Sequence, residues 1–170
     1  MKSRAPIPLL TLLATIFLIS AAPSIAQAEW VGSDGGHVPR GAVPAGREHP
    51  PGGETLFVCR ARFKNGMHPG KIRPGLGGCA IPWGGRENTV GSYEVLVGRG
   101  FGWRRARHGN VPLGAILTGR ENGRDMLFTC RANFKNGRHP GKVRAGLGGC
   151  NVPWGGREHT VRDYQVLIAR

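Results

Sequence analysis

Beyond residue 28, apolar positions in this chain fall into short runs broken by Gly and Pro, with no stretch at the 3.6-residue spacing of an amphipathic helix. The runs lie at 56–61, 71–73, 79–82 and 93–97, and again at 127–132, 142–144, 150–153 and 164–168. Runs of this length between turn residues predict short antiparallel strands in an all-β barrel, sandwich or prism-like fold, with few or no helices. The 29 Gly and 13 Pro of the chain supply the turns.

The second set of runs is the first set written again. Residues 56–99 align with 127–170 at an offset of 71, without a gap and with 31 of 44 positions identical. Upstream the likeness continues at an offset of 73: Trp30 matches Trp103, Val38-Pro39 matches Val111-Pro112, and Gly46-Arg47-Glu48 matches Gly119-Arg120-Glu121. The change of offset falls where HPPGGE is opposed by the shorter NGRD, as expected of an exposed loop that tolerates insertion. Two tandem units, 29–99 and 100–170, are therefore expected to form one compact domain packed about a pseudo-twofold axis, because a unit of about 70 residues is marginal alone. A repeated unit favours two similar binding surfaces over a single asymmetric active site.

The first 28 residues stand apart. Lys2 and Arg4, an apolar run from 6 to 22, and Ala26-Gln27-Ala28 form the pattern of a signal peptide cleaved after Ala28. An uncleaved membrane anchor is the competing interpretation of that run. Cleavage would make the protein secreted or periplasmic, with no stable membrane insertion. Four cysteines in an exported chain point to disulfides rather than free thiols. Three pairings are open, and the equal spacing in the two copies selects Cys59–Cys79 and Cys130–Cys150. A zinc site using His68 or His139 is the rival, disfavoured by export, and no metal or other cofactor is expected. Lys2 and Arg4 account for two of the net +14 charges, leaving +12 after cleavage. Such a balance suits anionic partners or plain solubility. Export and the lack of clustered basic and aromatic residues argue against nucleic acid.

The phrases LFVCRARFKNGMHPGKI, GGCAIPWGGRE and SYEVLVGR, each present twice with small changes, resemble the DM9 repeat family. The match covers nearly the whole chain after residue 28, with Trp83 and Trp154 where the family usually has Tyr. The resemblance implies a tandem-repeat recognition protein, with mannose-binding lectins among its relatives. It implies a sugar site on the lysine of the Pro-Gly-Lys turn and an upstream acid, here Lys71 with Glu48 and Lys142 with Glu121.

The chemistry of those residue types is suited to the task. A carboxylate accepts from two vicinal hydroxyls while an ammonium donates to sugar oxygens, with no metal or catalysis needed. Trp83 and Trp154 sit on tight Pro-Trp-Gly-Gly turns, where each ring either stacks on a sugar face or, as we expect, packs between the halves. Arg86-Glu87 and Arg157-Glu158 read as ion pairs within their own turns, and Arg60 and Arg131 as strand arginines that snorkel or pair with Glu87 and Glu158. His68 and His139 read as turn or surface residues. No enzyme is expected. The cysteines are paired, His37 and His108 lie in loose Gly-rich stretches, and nothing sets the separation of Glu48 from Glu87 or of Glu121 from Glu158. The expected function is a secreted, lectin-like protein that recognises mannose-type or related neutral glycans on cell-surface polysaccharide through two equivalent loop sites, with oligomeric state left open. The rivals are a cationic polyanion-binding or antimicrobial factor, and a structural envelope module without a small ligand.

Overall fold

The computed structural model describes residues 27–49 and 52–170. The expected leader lies outside the described residues, apart from Gln27 and Ala28, which open the first strand. The first half contributes β1 (Gln27–Asp34), β2 (Pro44–Glu48), β3 (Thr55–Phe63), β4 (Gly66–Ile72), β5 (Cys79–Trp83), β6 (Arg86–Val90) and β7 (Ser92–Arg99). The second contributes β8 (Phe101–Arg107), β9 (Leu117–Glu121), β10 (Asp125–Phe134), β11 (Gly137–Val143), β12 (Cys150–Trp154), β13 (Arg157–Val161) and β14 (Asp163–Ala169). No helix occurs among the described residues, so the fold is all-β as the sequence predicts.

Every ladder inside the first half has its counterpart in the second. The hairpin β3–β4 matches β10–β11, β3–β7 matches β10–β14, and β1–β7 matches β8–β14. The halves are then laced together by exchange. β2 pairs with β11 at Glu48↔Gly137, β4 pairs with β9 at Gly66↔Glu121, and β6 meets β13 at Arg86↔Arg157. Following the ladders β3-β2-β11-β12-β13-β6-β5-β4 leads back to β3, closing a ring of eight strands. Both candidate glutamates thus stand at strand ends bonded to the opposite half.

The apolar residues form three clusters, one in each half and one shared between them. Cys59, Ile72, Cys79, Ile81 and Val95 pack in one half, and Cys130, Val143, Cys150, Val152 and Val166 in the other. A third cluster of Val43, Ala45, Val58, Leu96 and Leu167 joins the halves, bordered by Trp30, Phe101 and Trp103. Each half therefore owns a small core with a disulfide at its centre. The bonds are Cys59–Cys79 and Cys130–Cys150, with Cα–Cα separations of 6.0 and 5.8 Å. Each closes a loop with a sequence separation of 20, which constrains the unfolded chain by about 3 kcal/mol. Replacing Cys59 and Cys79 together by Ala is expected to lower the free energy of unfolding by that order, read as an earlier urea midpoint. An unchanged midpoint would mean that the thin core stands without its staple.

Candidate functional site

The Pro-Gly-Lys segment lies inside β4, not on a free turn. Gly70 passes so close to β5 that a Cβ would fall 2.1 Å from the Ala80 carbonyl oxygen, and at Gly141 the distance to the Asn151 oxygen is 1.9 Å. That close crossing carries the next residue, Lys71, inward, where its side chain is only 3% exposed. Two carboxylates converge on it from different strands. Glu87 of β6 lies 3.3 Å from the ammonium, and Glu48 at the end of β2 lies 3.8 Å away. Glu48 is gripped from its other side by Arg73 at 2.8 Å, and Arg73 also reaches Glu54 at 2.9 Å. Lys71 and Glu48 therefore pair within one half.

The second half builds the equivalent cluster differently. No carboxylate lies within ion-pair distance of Lys142 among the described residues. Burial holds its ammonium below the usual lysine range, opposed by the charges of Glu158 and Glu121. Asn151 explains the difference. Its amide donates to Glu158 Oε1 at 2.7 Å, and the other oxygen accepts from the Gly85 N–H at 2.8 Å, so Glu158 is occupied. The first half has Ala80 at that position, which frees Glu87 Oε1 for Lys71. Glu121 is drawn toward Trp83, whose indole N–H donates to it at 3.1 Å, and lies 3.8 Å from Arg144. The two sites are not equivalent, contrary to the expectation from the repeat.

Several expectations for neighbouring residues are corrected. Glu87 and Glu158 do not close on Arg86 and Arg157. Glu87 accepts from Gly156 N–H at 2.9 Å while Glu158 accepts from Gly85 N–H, so each carboxylate ties down the glycine turn of the opposite half. Arg60 pairs with Glu94 at 2.6 Å and Arg131 bonds Gln165 at 2.8 Å, each stacked over a tryptophan, Trp30 or Trp103. Trp83 and Trp154 pack edge-on against Phe63 and Phe134, at 5.6 and 5.9 Å between ring centroids.

His68 and His139 are buried between the halves, not on turns. A Cβ at Gly66 would approach His68 Nε2 to 2.7 Å, and one at Gly137 would approach His139 Nε2 equally closely, so these glycines make room for the rings. His139 belongs to the second half yet sits by the Lys71 cluster. Burial first, and the Lys71 charge second, push its pKa down to about 4, with Glu48 and Glu87 opposing. His68 is lowered for the matching reasons, burial and then Lys142, with Glu121 opposing. Each cluster therefore combines a lysine and two acids of one half with a neutral imidazole of the other.

This frame agrees with what the chain resembles elsewhere. The family model for the DM9 repeat matches residues 49–161. The chain belongs to the DM9 repeat family. Natterin-3 of Thalassophryne nattereri is 28% identical over 137 residues, covering 75% of this chain and 34% of that protein. Natterin-1 of the same organism is 27% identical over 137 residues, covering 78% of this chain and 36% of its own length. The chain thus spans about a third of the length of these relatives. Among solved structures, the nematode sperm cell motility protein MFP2B shares the fold with a TM-score of 0.61 at 16% identity, over 86% of this chain and 47% of that one. The paired disulfides suit an extracellular location.

Proposed function

We propose that this DM9 protein is a lectin-like carbohydrate-binding protein that takes a neutral, mannose-type hexose at the Lys71–Glu48–Glu87 cluster. The Lys142–Glu121 cluster is its weaker partner site. The observation that supports this most directly is the spacing around Lys71. Its contacts of 3.3 and 3.8 Å exceed the 2.7–2.9 Å of a tight charge-assisted bond, so the buried ammonium keeps unfilled donor capacity beside the more exposed carboxylates of Glu48 and Glu87. Glu48, oriented by Arg73, offers the acceptors that vicinal hydroxyls need. Two unequal sites on one body favour multivalent glycan surfaces.

Calorimetry with mannose and with a multivalent mannan checks this on the wild type, Lys71→Met, Lys142→Met and the double variant. Met keeps the apolar stem, so the fold is expected to survive. Loss of a charged hydrogen bond, about 1.5–3 kcal/mol, predicts roughly 10- to 150-fold weaker binding at the altered site. The larger effect is expected at Lys71. Undiminished binding by the folded double variant would refute the lysine assignment, and a wild type that binds no neutral glycan would end the proposal.

A further inference from the structure

The duplication contains its own control for charge. On the sheet β11-β10-β14-β8, the side chains of one face line a cleft of about 480 Å³. Arg105 and Arg107 come from β8, Arg131 from β10 and Arg138 from β11, with Asp163 and Gln165 of β14 between them. The ladder sets Arg105 opposite Gln165 and Arg107 opposite Asp163, two residues apart and therefore on the same face. The matching ladder of the first half sets Gly32 opposite Glu94 and Asp34 opposite Ser92. Arg138 is matched there by Met67, and Asn133, another cleft residue, by Arg62. Four arginines against Asp163 leave the second cleft at +3, whereas Arg60 and Arg62 against Asp34 and Glu94 leave the first neutral.

The central contact changes with the charge. Arg60 is neutralised by Glu94 at 2.6 Å, but Arg131 meets only the uncharged Gln165 at 2.8 Å. Among the described residues, Arg105, Arg107 and Arg138 form no ion pair either. Three of the cleft residues, Arg131, Asn133 and Arg138, also line an adjoining groove of about 920 Å³ that continues to Lys135 and Arg47. A basic track of this length suits a chain of anionic groups rather than one small ion. Guanidinium forks match sulfate and carboxylate bidentately. The groove's indole, Trp103, is already covered by Arg131 at 4.1 Å, so no bare aromatic face is offered for stacking a nucleobase. The disulfides suit an extracellular setting, where anionic polysaccharides are met.

We propose that this cleft of the second half is a binding site for an anionic polysaccharide, its sulfate or carboxylate groups held by Arg105, Arg107 and Arg138 around Arg131. It is separate from the Lys71 cluster and does not depend on neutral-sugar binding there. The test compares a heparin fragment, a polygalacturonate fragment, neutral dextran and a single-stranded oligonucleotide as ligands of the full protein at low and physiological salt. Heparin binding alone identifies sulfate as the group read, and binding of both charged glycans shows that carboxylate suffices. Arg105→Gln/Arg107→Gln is expected to weaken the bound anionic glycan about tenfold or more. Gln165→Glu, which installs the first half's carboxylate beside Arg131 with little change of shape, is expected to weaken it in the same direction. The control Arg62→Gln/Arg99→Gln removes as much charge from the first half and is expected to leave binding within about twofold. Equal loss in the control would reduce the effect to diffuse charge and overturn the site. So would tighter binding of the oligonucleotide, or no binding of either charged glycan. Neutral hexose binding should be unchanged in the cleft variants, whatever its strength in the wild type.

Discussion

Replacing Gly70 or Gly141 by Ala is expected to destabilise the protein by about 3 kcal/mol or more, the upper range for overpacking a buried site. The added methyl would fall 2.1 Å from the Ala80 oxygen, or 1.9 Å from that of Asn151. Backbone cannot swing aside like the tip of a side chain, so β4 must move away from β5, or β11 from β12. That displacement breaks the Lys71↔Ala80 or Lys142↔Asn151 register and carries the lysine out of its cluster. For a domain of this size each kcal/mol shifts the melting temperature by roughly 2–4 °C, so a fall of about 10 °C is expected. The two variants should also differ in recognition. Gly70→Ala should impair neutral-sugar binding more, because the ammonium it displaces is the one with carboxylates on both sides. A Gly70→Ala protein that melts like the wild type would show that the two strands do not cross as closely as described.

The same crossing shows what could be read from the chain and what could not. Strands such as β3 and β10, with apolar runs and a cysteine, were legible because much of their burial, Cys59 and Ala61 or Cys130 and Ala132, lies within one half. The disulfides were legible for the same reason: each joins residues of one copy at a repeated spacing. β2, β6, β9 and β13 were not, since PAGRE, RENTV, LTGRE and REHTV are short and mostly polar. What holds them is pairing to another strand. Nor could the exchange of β2 and β9 between halves be foreseen. With 31 of 44 positions identical, a strand that fits its own half fits the other nearly as well, and only three-dimensional placement decides. The lysines and their upstream glutamates were singled out through the family pattern. Glu87 and Glu158 were misassigned because an Arg-Glu neighbour pair looks self-sufficient, whereas each carboxylate serves the opposite turn. Asn151 against Ala80 was visible as a difference between copies. Its effect on Lys142 depends on a hydrogen bond that sequence does not display.

Acid is expected to weaken this fold before ordinary carboxylate titration begins, through the two histidines between the halves. His139 is 2% exposed and stays neutral in the folded protein down to about pH 4, against an ordinary value of 6.5. The unfolded chain takes up that proton below 6.5 and the folded one does not, so stability is complete above pH 6.5 and falls as the pH drops toward 4. At 1.36 kcal/mol per unit, the interval from 6.5 to 4.5 removes about 2.5 kcal/mol through His139 alone. His68 is shifted in the same direction and adds to the loss. A proton forced onto His139 would stand beside the Lys71 ammonium, with Glu48 and Glu87 only partly compensating. Relief comes by parting the halves at this point, so neutral-sugar binding at Lys71 should weaken over the same interval. Thermal melts between pH 7 and 4.5 on the wild type and His139→Leu test this directly. The leucine variant forgoes no hydrogen bond at Nδ1, which has no partner, and should melt near the wild type at pH 7 while losing markedly less on acidification. If both proteins lose the same number of degrees between those limits, the acid sensitivity lies elsewhere, and the imidazole in the Lys71 cluster is a packing group only.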